Sequence, residues 1–317
     1  MSLATPPLFA ALAPARRVLI AGAGGGFDVY AGLPLAFALA DQGKQVQLAN
    51  LTFSDLRYLE PERWVAPGLA RIDAEASGST TYFPERTLAR WLAAEGRPFD
   101  VYAIAREGAR PVTAAYRALA ERCALDAIVL VDGGTDILMR GDESGLGTPE
   151  EDVVSLVAAA QTEVATKLVV SVGFGIDAFH GVCHTDVLET LAALNREGAY
   201  LGALSIPRDS PEALAYTDAV AHAALHTAAR PSIVNDQISA AIEGEFGDRH
   251  TSTRTAGSEL FINPLMAIYF TVGLEALVAR LLYADALRGT DTMREVSLVI
   301  ERARSETTAK PYRGFPH

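Results

Sequence analysis

Cysteine is scarce in this chain. Cys123 and Cys183 are the two present in 317 residues, and they form neither a disulfide framework nor a Cys-x-x-Cys pair, so the expected setting is reducing and cytoplasmic. Basic charge is also in deficit: 27 Lys and Arg stand against 39 Asp and Glu, a formal net charge of −12. With no basic stripe, nucleic acid is not an expected partner. The longest apolar stretch, Phe261 to Leu287, is interrupted by Glu275 and Arg280. It reads as a buried helix rather than a membrane span, so no membrane partner is expected. Met1 to Ala15 carries no basic segment ahead of an apolar run and reads as an arm leading into the first strand, not as a signal peptide. Internal repeats and charged linkers are missing too. The expectation is one α/β domain over residues 1–317, with 1–15 as the arm and 231–317 as a mostly helical C-terminal cap of the same domain. Oligomeric state is not legible.

What the chain does have is short β-branched runs alternating with helical patterns. Strands are expected at Arg17–Ala21, Gln45–Leu51, Val101–Ala105, Ala127–Val131, Lys167–Val172 and Ala199–Ile206. Near-continuous apolar runs fit strands buried on both faces, hence a Rossmann-like, mainly parallel sheet with helices on both faces. Thr148-Pro149-Glu150-Glu151 reads as a capping box, Ser210-Pro211 and Asn263-Pro264 as cap-plus-proline starts, and Gly198 as the end of a helix beginning near Thr185. Ser54 to Phe83 lacks periodicity and reads as a lid or as a mobile insertion.

Glycine and acid gather after three of the strands, where ligands collect in open α/β sheets. In the first cluster, Gly22, Gly24, Gly25 and Gly26 precede Asp28. Such a strand-to-helix loop lets backbone N–H groups approach a phosphate or carboxylate, and its plainer reading is a tight turn with Asp28 as a helix cap. The third glycine of a dinucleotide fingerprint would fall at Phe27, and Asn50-Leu51-Thr52 stands where a ribose-binding acid would be. NAD is therefore disfavoured, and no Walker A lysine follows. The second cluster is Asp132-Gly-Gly-Thr-Asp136, followed by Arg140, Asp142 and Glu143. Carboxylates at strand ends suit Mg²⁺, and Arg140 suits an anionic group, while the plainer reading is turn-capping acids in a solvated loop. The third cluster runs from Gly173 to His184 and holds Asp177, His180, Cys183 and His184. It matches no zinc signature. Histidine there fits proton transfer or a simple hydrogen bond, and Cys183 fits a small buried residue. His222 and His226 read as packing or surface residues. Glu107-Gly108 and the polar stretches Gly244–Asp248 and Arg254–Ser258 are expected near the same crevice.

The runs Gly22–Asp28, Val131–Pro149 and Gly198–Gly202, in that order, resemble the domain-of-unknown-function family 1152 over about Arg17 to Arg304. The resemblance implies a Rossmann-like fold and carries no activity or catalytic residue with it. The functional expectation therefore rests on the residues. It is an Mg²⁺-dependent enzyme acting on a nucleotide or phosphorylated metabolite by phosphoryl or nucleotidyl transfer or hydrolysis. Gly22, Gly24, Gly25, Gly26 and Asp28 are placed at the ligand, Asp132 and Asp136 at the metal, and Asp177, His180 and Arg140 in catalysis. The alternatives are a non-catalytic protein that binds a small anionic metabolite, and an oxidoreductase with an atypical dinucleotide loop.

Overall fold

The β-branched runs become strands where the sequence puts them. A computed structural model describes residues 4–250 and 260–314. Five strands are parallel neighbours: β1 (Arg17–Gly22), β2 (Gln45–Thr52), β5 (Asp100–Ala105), β6 (Ala127–Asp132) and β7 (Thr166–Ser171). Their spatial order is β5-β2-β1-β6-β7. The chain thus builds outward from β1 to one side and returns to the other, which is the doubly wound order and places the reversal between β1 and β6. Every residue of β6 is buried, as a strand covered on both faces requires.

Two further pieces widen the sheet. The segment read as a lid or insertion contains a short hairpin, β3 (Trp64–Ala66) and β4 (Leu69–Ile72), with β4 antiparallel to β5. Its period is hidden because Ala70 and Ile72 pack on a small satellite core with Leu56, Leu59 and Phe83. At the other edge lie β8 (Tyr200–Ser205) and β11 (Ile268–Gly273), with β11 antiparallel to both β7 and β8. This corrects the reading of Phe261–Leu287 as a single buried helix. Ile268-Tyr-Phe-Thr-Val272 is β-branched and aromatic, and it fits a half-buried pleat better than a helix. The C-terminal region is otherwise helical. A two-residue ladder pairs β9 (Gly247–Asp248) with β10 (Phe261–Ile262).

One face of the sheet carries α1 (Pro7–Leu12), α2 (Asp28–Ala31), α3 (Leu33–Asp41), α4 (Pro84–Ala94), α8 (Pro211–His226) and α9 (Ile233–Glu243). The opposite face carries α5 (Ala109–Cys123), α6 (Glu150–Ala160), α7 (His184–Arg196), α10 (Leu274–Arg280), α11 (Ala284–Leu287) and α12 (Met293–Glu306). The N-terminal arm thus holds a helical turn that buries Leu8 and Leu12. Among the described residues no helix is long and apolar enough to cross a membrane.

Local signals held unevenly. Ser210 caps α8 by accepting from the Ala213 N–H at 3.1 Å. Asn263 caps a single 3₁₀ turn at Pro264–Ala267. Gly198, at φ +72°, follows the last residues of α7. The capping box at Thr148 does not form: Pro149 takes the N-cap of α6 with no side-chain bond. The Thr148 N–H and hydroxyl instead reach Asp136, at 2.9 and 3.4 Å.

Gly22 is the tightest point of the first loop. A Cβ there would sit 2.3 Å from Asn50 Oδ1 and 2.4 Å from the Val29 nitrogen. Gly22→Ala is expected to destabilise the chain by about 3 kcal/mol, read as a lowered urea midpoint; an unchanged midpoint would mean that the loop yields without cost.

Candidate functional site

The loop after β1 and the loop after β6 leave the sheet side by side, because Gly22 is in register with Val131. Between them opens a cavity of about 340 Å³, walled also by the first turn of α6, the 3₁₀ turn Ile176–His180 after β7, and the start of α9. It lies at the reversal of strand order, where doubly wound sheets bind ligands.

Five aspartates meet there: Asp28, Asp132, Asp136, Asp152 and Asp177. Three of them converge. One carboxylate oxygen from each of Asp28, Asp132 and Asp152 lies within 4.8 Å of the others. A divalent cation with oxygen ligands at about 2.0–2.6 Å spans such separations directly or through a water. Asp152 Oδ1 is buried and has no hydrogen-bond partner. Asp28 accepts from the Gly24 N–H at 2.7 Å. The glycine at 24 is needed for this approach, since a Cβ would fall 2.7 Å from Asp28 Oδ2 and 3.0 Å from both Asp152 oxygens.

The other two acids are already engaged. Asp136 Oδ2 takes both Thr148 donors. Asp177 Oδ2 takes the Thr135 N–H at 2.6 Å and its hydroxyl at 3.3 Å. The structure therefore groups Asp132 with Asp28 and Asp152 rather than with Asp136, although Asp136 borders the same cavity. Burial is the first cause of a shared electrostatic state. It raises Asp28 to about 8, with Asp136 adding to the rise and the Gly24 N–H opposing it. Asp132, Asp152 and Asp177 are pushed well above the carboxylate range by burial first and then by neighbouring acids, Asp152 foremost for Asp132 and Asp136 for the other two. Asp136 is raised as well, again by burial first.

Among the described residues lining the cavity there is no Lys or Arg, and His180 is the one basic side chain. Arg140 is a correction to the expectation. Its guanidinium pairs with Asp142 at 3.2 Å outside the cavity, so it does not face the converging acids. Asp142 also meets Lys310, and the buried Glu143 carboxylate accepts the Arg140 and Gly141 N–H groups. These acids close a turn. Glu107-Gly108 turns away as well, with the Gly108 N–H donating to the Asp291 carbonyl. His184 opens α7 beside Phe174, with ring centroids 5.2 Å apart, and burial lowers its pKa. Cys183 is buried and its Sγ contacts the Arg313 carbonyl. His222 and His226 stack on each other along α8, away from the acids. Gly244–Asp248 contributes β9, and Arg254–Ser258 lies outside the described residues.

The first glycine loop is more specialised than a bare anion cradle. Gly24 serves the carboxylates. Gly25 and Gly26 hold φ of +88° and +60°, and among the described residues their N–H groups have no hydrogen-bond partner. Gly22 packs beneath the loop without lining the cavity. Asn50, where a ribose-binding acid was sought, bridges the Gly26 carbonyl at 2.9 Å and the buried Glu85 carboxylate at 2.7 Å.

The residue that sequence reasoning missed is Asp152. Glu150-Glu151-Asp152 reads as an acidic first turn favoured by the helix dipole. The signal that separates the three is helical phase: Asp152 is followed three residues on by Ser155, whose hydroxyl reaches the Ala23 carbonyl, so that face looks at the glycine loop.

A family model described as "Protein of unknown function (DUF1152)" matches residues 65–308, more than half of the chain. The match begins after the first glycine loop and includes Asp132, Asp152 and Asp177. No curated protein matches the chain.

Proposed function

This chain belongs to the DUF1152 family, and we propose from its own geometry that it is a divalent-cation enzyme for a nucleotide or other phosphorylated metabolite. The reaction class is phosphoryl or nucleotidyl transfer, or hydrolysis. One observation carries the reading: two buried carboxylates and a half-buried third converge, one with an unpartnered oxygen, in a cavity that has no Lys or Arg among the described residues. Uncompensated buried charge is costly, so such a cluster holds either protons or a cation. Mg²⁺ takes one or two carboxylates and completes its shell with water and substrate phosphate, which the cavity has room to admit.

The roles follow from position. Asp28, Asp132 and Asp152 hold the cation. The unused N–H groups of Gly25 and Gly26, and the N-terminus of α9 at Ser232–Val234, receive phosphate oxygens. Asp177 and His180 stand at the same cavity for proton transfer. Asp136 ties the Gly147-Thr148 loop to the site.

The test is turnover. Nucleoside phosphates and sugar phosphates are incubated with and without Mg²⁺ or Mn²⁺, and released phosphate is measured. Cation-dependent release, reduced about 1,000-fold or more in Asp132→Asn, is expected if the cation stabilises developing charge. Tight, cation-independent binding without any turnover would overturn this in favour of a metabolite-binding protein.

A further inference from the structure

Beside the acid cavity lies a second one, of about 530 Å³. The two share a wall made of Ile176, Phe179, Gln237 and Leu260. Gln237, in the second turn of α9, is 2 % exposed, and among the described residues neither Oε1 nor Nε2 of its amide has a hydrogen-bond partner. Burying an amide with both ends unpaired is unfavourable, and an apolar side chain of the same shape would remove the cost. The neighbouring amide on the same helix shows the ordinary solution. Asn235 donates to the Phe27 carbonyl at 3.1 Å and accepts from the Tyr216 hydroxyl at 2.9 Å. Gln237 has an acceptor and a donor side by side at the wall shared by two cavities, with nothing among the described residues to meet them.

We propose that Gln237 reads the base of a mononucleotide whose phosphate occupies the acid cavity. The phosphate's position rests on the reading under Proposed function. An amide presents a paired acceptor and donor edge, and a nucleobase presents the complementary pair. Phe179, a large aromatic side chain that is 66 % exposed, stands at the shared wall and offers a face for stacking. His184 and Asn263 give the second cavity further polar edges. The ligand class is thus narrowed from any phosphometabolite to a nucleotide, with Gln237 as the specificity residue.

The experiment compares AMP, GMP, CMP and UMP with ribose 5-phosphate, which keeps the phosphate and lacks the base. Binding is measured by calorimetry with Mn²⁺ present, in the wild type and in Gln237→Met. At least one nucleotide is expected to bind about tenfold or more tighter than ribose 5-phosphate, because a site with buried polar groups penalises a ligand that leaves them unpaired. Gln237→Met is expected to erase that preference while leaving ribose 5-phosphate affinity unchanged. The ligand-free variant is expected to melt higher, by about 2 °C, for want of the unpaired amide. Equal binding of nucleotides and ribose 5-phosphate overturns the proposal, as does a preference that survives in Gln237→Met. Binding of Mn²⁺ alone separates the two readings. Base discrimination without Mn²⁺ binding upholds Gln237 and sinks the cation. Mn²⁺ binding without base discrimination does the reverse, and no binding at all overturns both.

Discussion

Kept free of metal with EDTA, the protein is expected to lose stability as the pH rises from about 5 toward 8, and saturating Mn²⁺ or Mg²⁺ is expected to abolish the loss. Asp28, Asp132, Asp136, Asp152 and Asp177 all hold their protons more tightly when folded than the free side chain does, chiefly through burial. The folded state therefore binds more protons than the unfolded one across this range. Their contribution is fully present below the unfolded value near 3.8 and is lost as pH climbs through the raised values, which for Asp28 reach about 8. Each proton retained in the folded state alone gives a slope of about 1.4 kcal/mol per pH unit. Acids shifted the other way do not mask this. Asp55, Glu60, Asp73, Asp126, Glu189 and Asp291 are lowered, so their stabilisation is lost only in acid, below the usual carboxylate range. A bound cation replaces the protons and favours the ionised carboxylates. Urea unfolding from pH 5 to 8.5, with EDTA and with Mn²⁺, reads both curves. A flat or rising EDTA curve would refute the electrostatic account of the cluster.

The second large effect is a reversal of sign in one variant. Asp152→Asn keeps the shape of the side chain, removes one of the converging charges, and breaks no hydrogen bond at Oδ1 because none exists there. Without metal at pH 8 the variant is expected to be more stable than the wild type, by about 1.4 kcal/mol or more, the equivalent of a tenfold change in proton affinity. With metal the order inverts. Cation affinity falls about 100-fold or more, beyond the usual cost of losing a supporting residue, and the thermal stabilisation by Mn²⁺ disappears. Asp142→Asn is the matched control, since that carboxylate pairs with Arg140 and Lys310 outside the cavity; it is expected to leave Mn²⁺ binding unchanged. If Asp152→Asn binds Mn²⁺ as the wild type does, the converging acids do not form the cation site.

The parallel core, and the fact that the three glycine-and-acid loops border one cavity, were legible because both depend on local pattern. β-branched runs of five or six residues ending in glycine or aspartate have few alternatives to a buried strand followed by a tight loop at the sheet's carboxyl edge. What escaped depended on partners distant in sequence. β11 lies within an apolar stretch that has no visible period, and its strand character becomes evident only against β7 and β8. Thr148 carries every local sign of a helix cap, yet Asp136 offers its donors a charged acceptor and takes them. Arg140 sits four residues past Asp136 and looks like its neighbour, but a left-handed Gly141, at φ +121°, and the Glu143 turn carry it toward Asp142. Asp152 was hidden for the opposite reason. An acidic first turn is so ordinary that one member of it aimed inward leaves no mark on composition.

The place of β11 in the sheet bears on how the protein is made. Among the described residues β8 pairs only with β11, and the outer edge of β7 is covered only by β11. A chain emerging from the ribosome thus carries all five aspartates of the cavity well before it carries residue 268. Until then β7 presents an open edge, the kind of surface on which chains join one another. Emergence of the segment that begins at Met266 is therefore the step that seals the sheet, and Met266, whose carbonyl holds the Gly173 N–H at 3.1 Å, fixes the Asp177 loop at that same later moment. Truncation before Ile268 would yield a protein with every acid present and a tendency to aggregate rather than to assemble them.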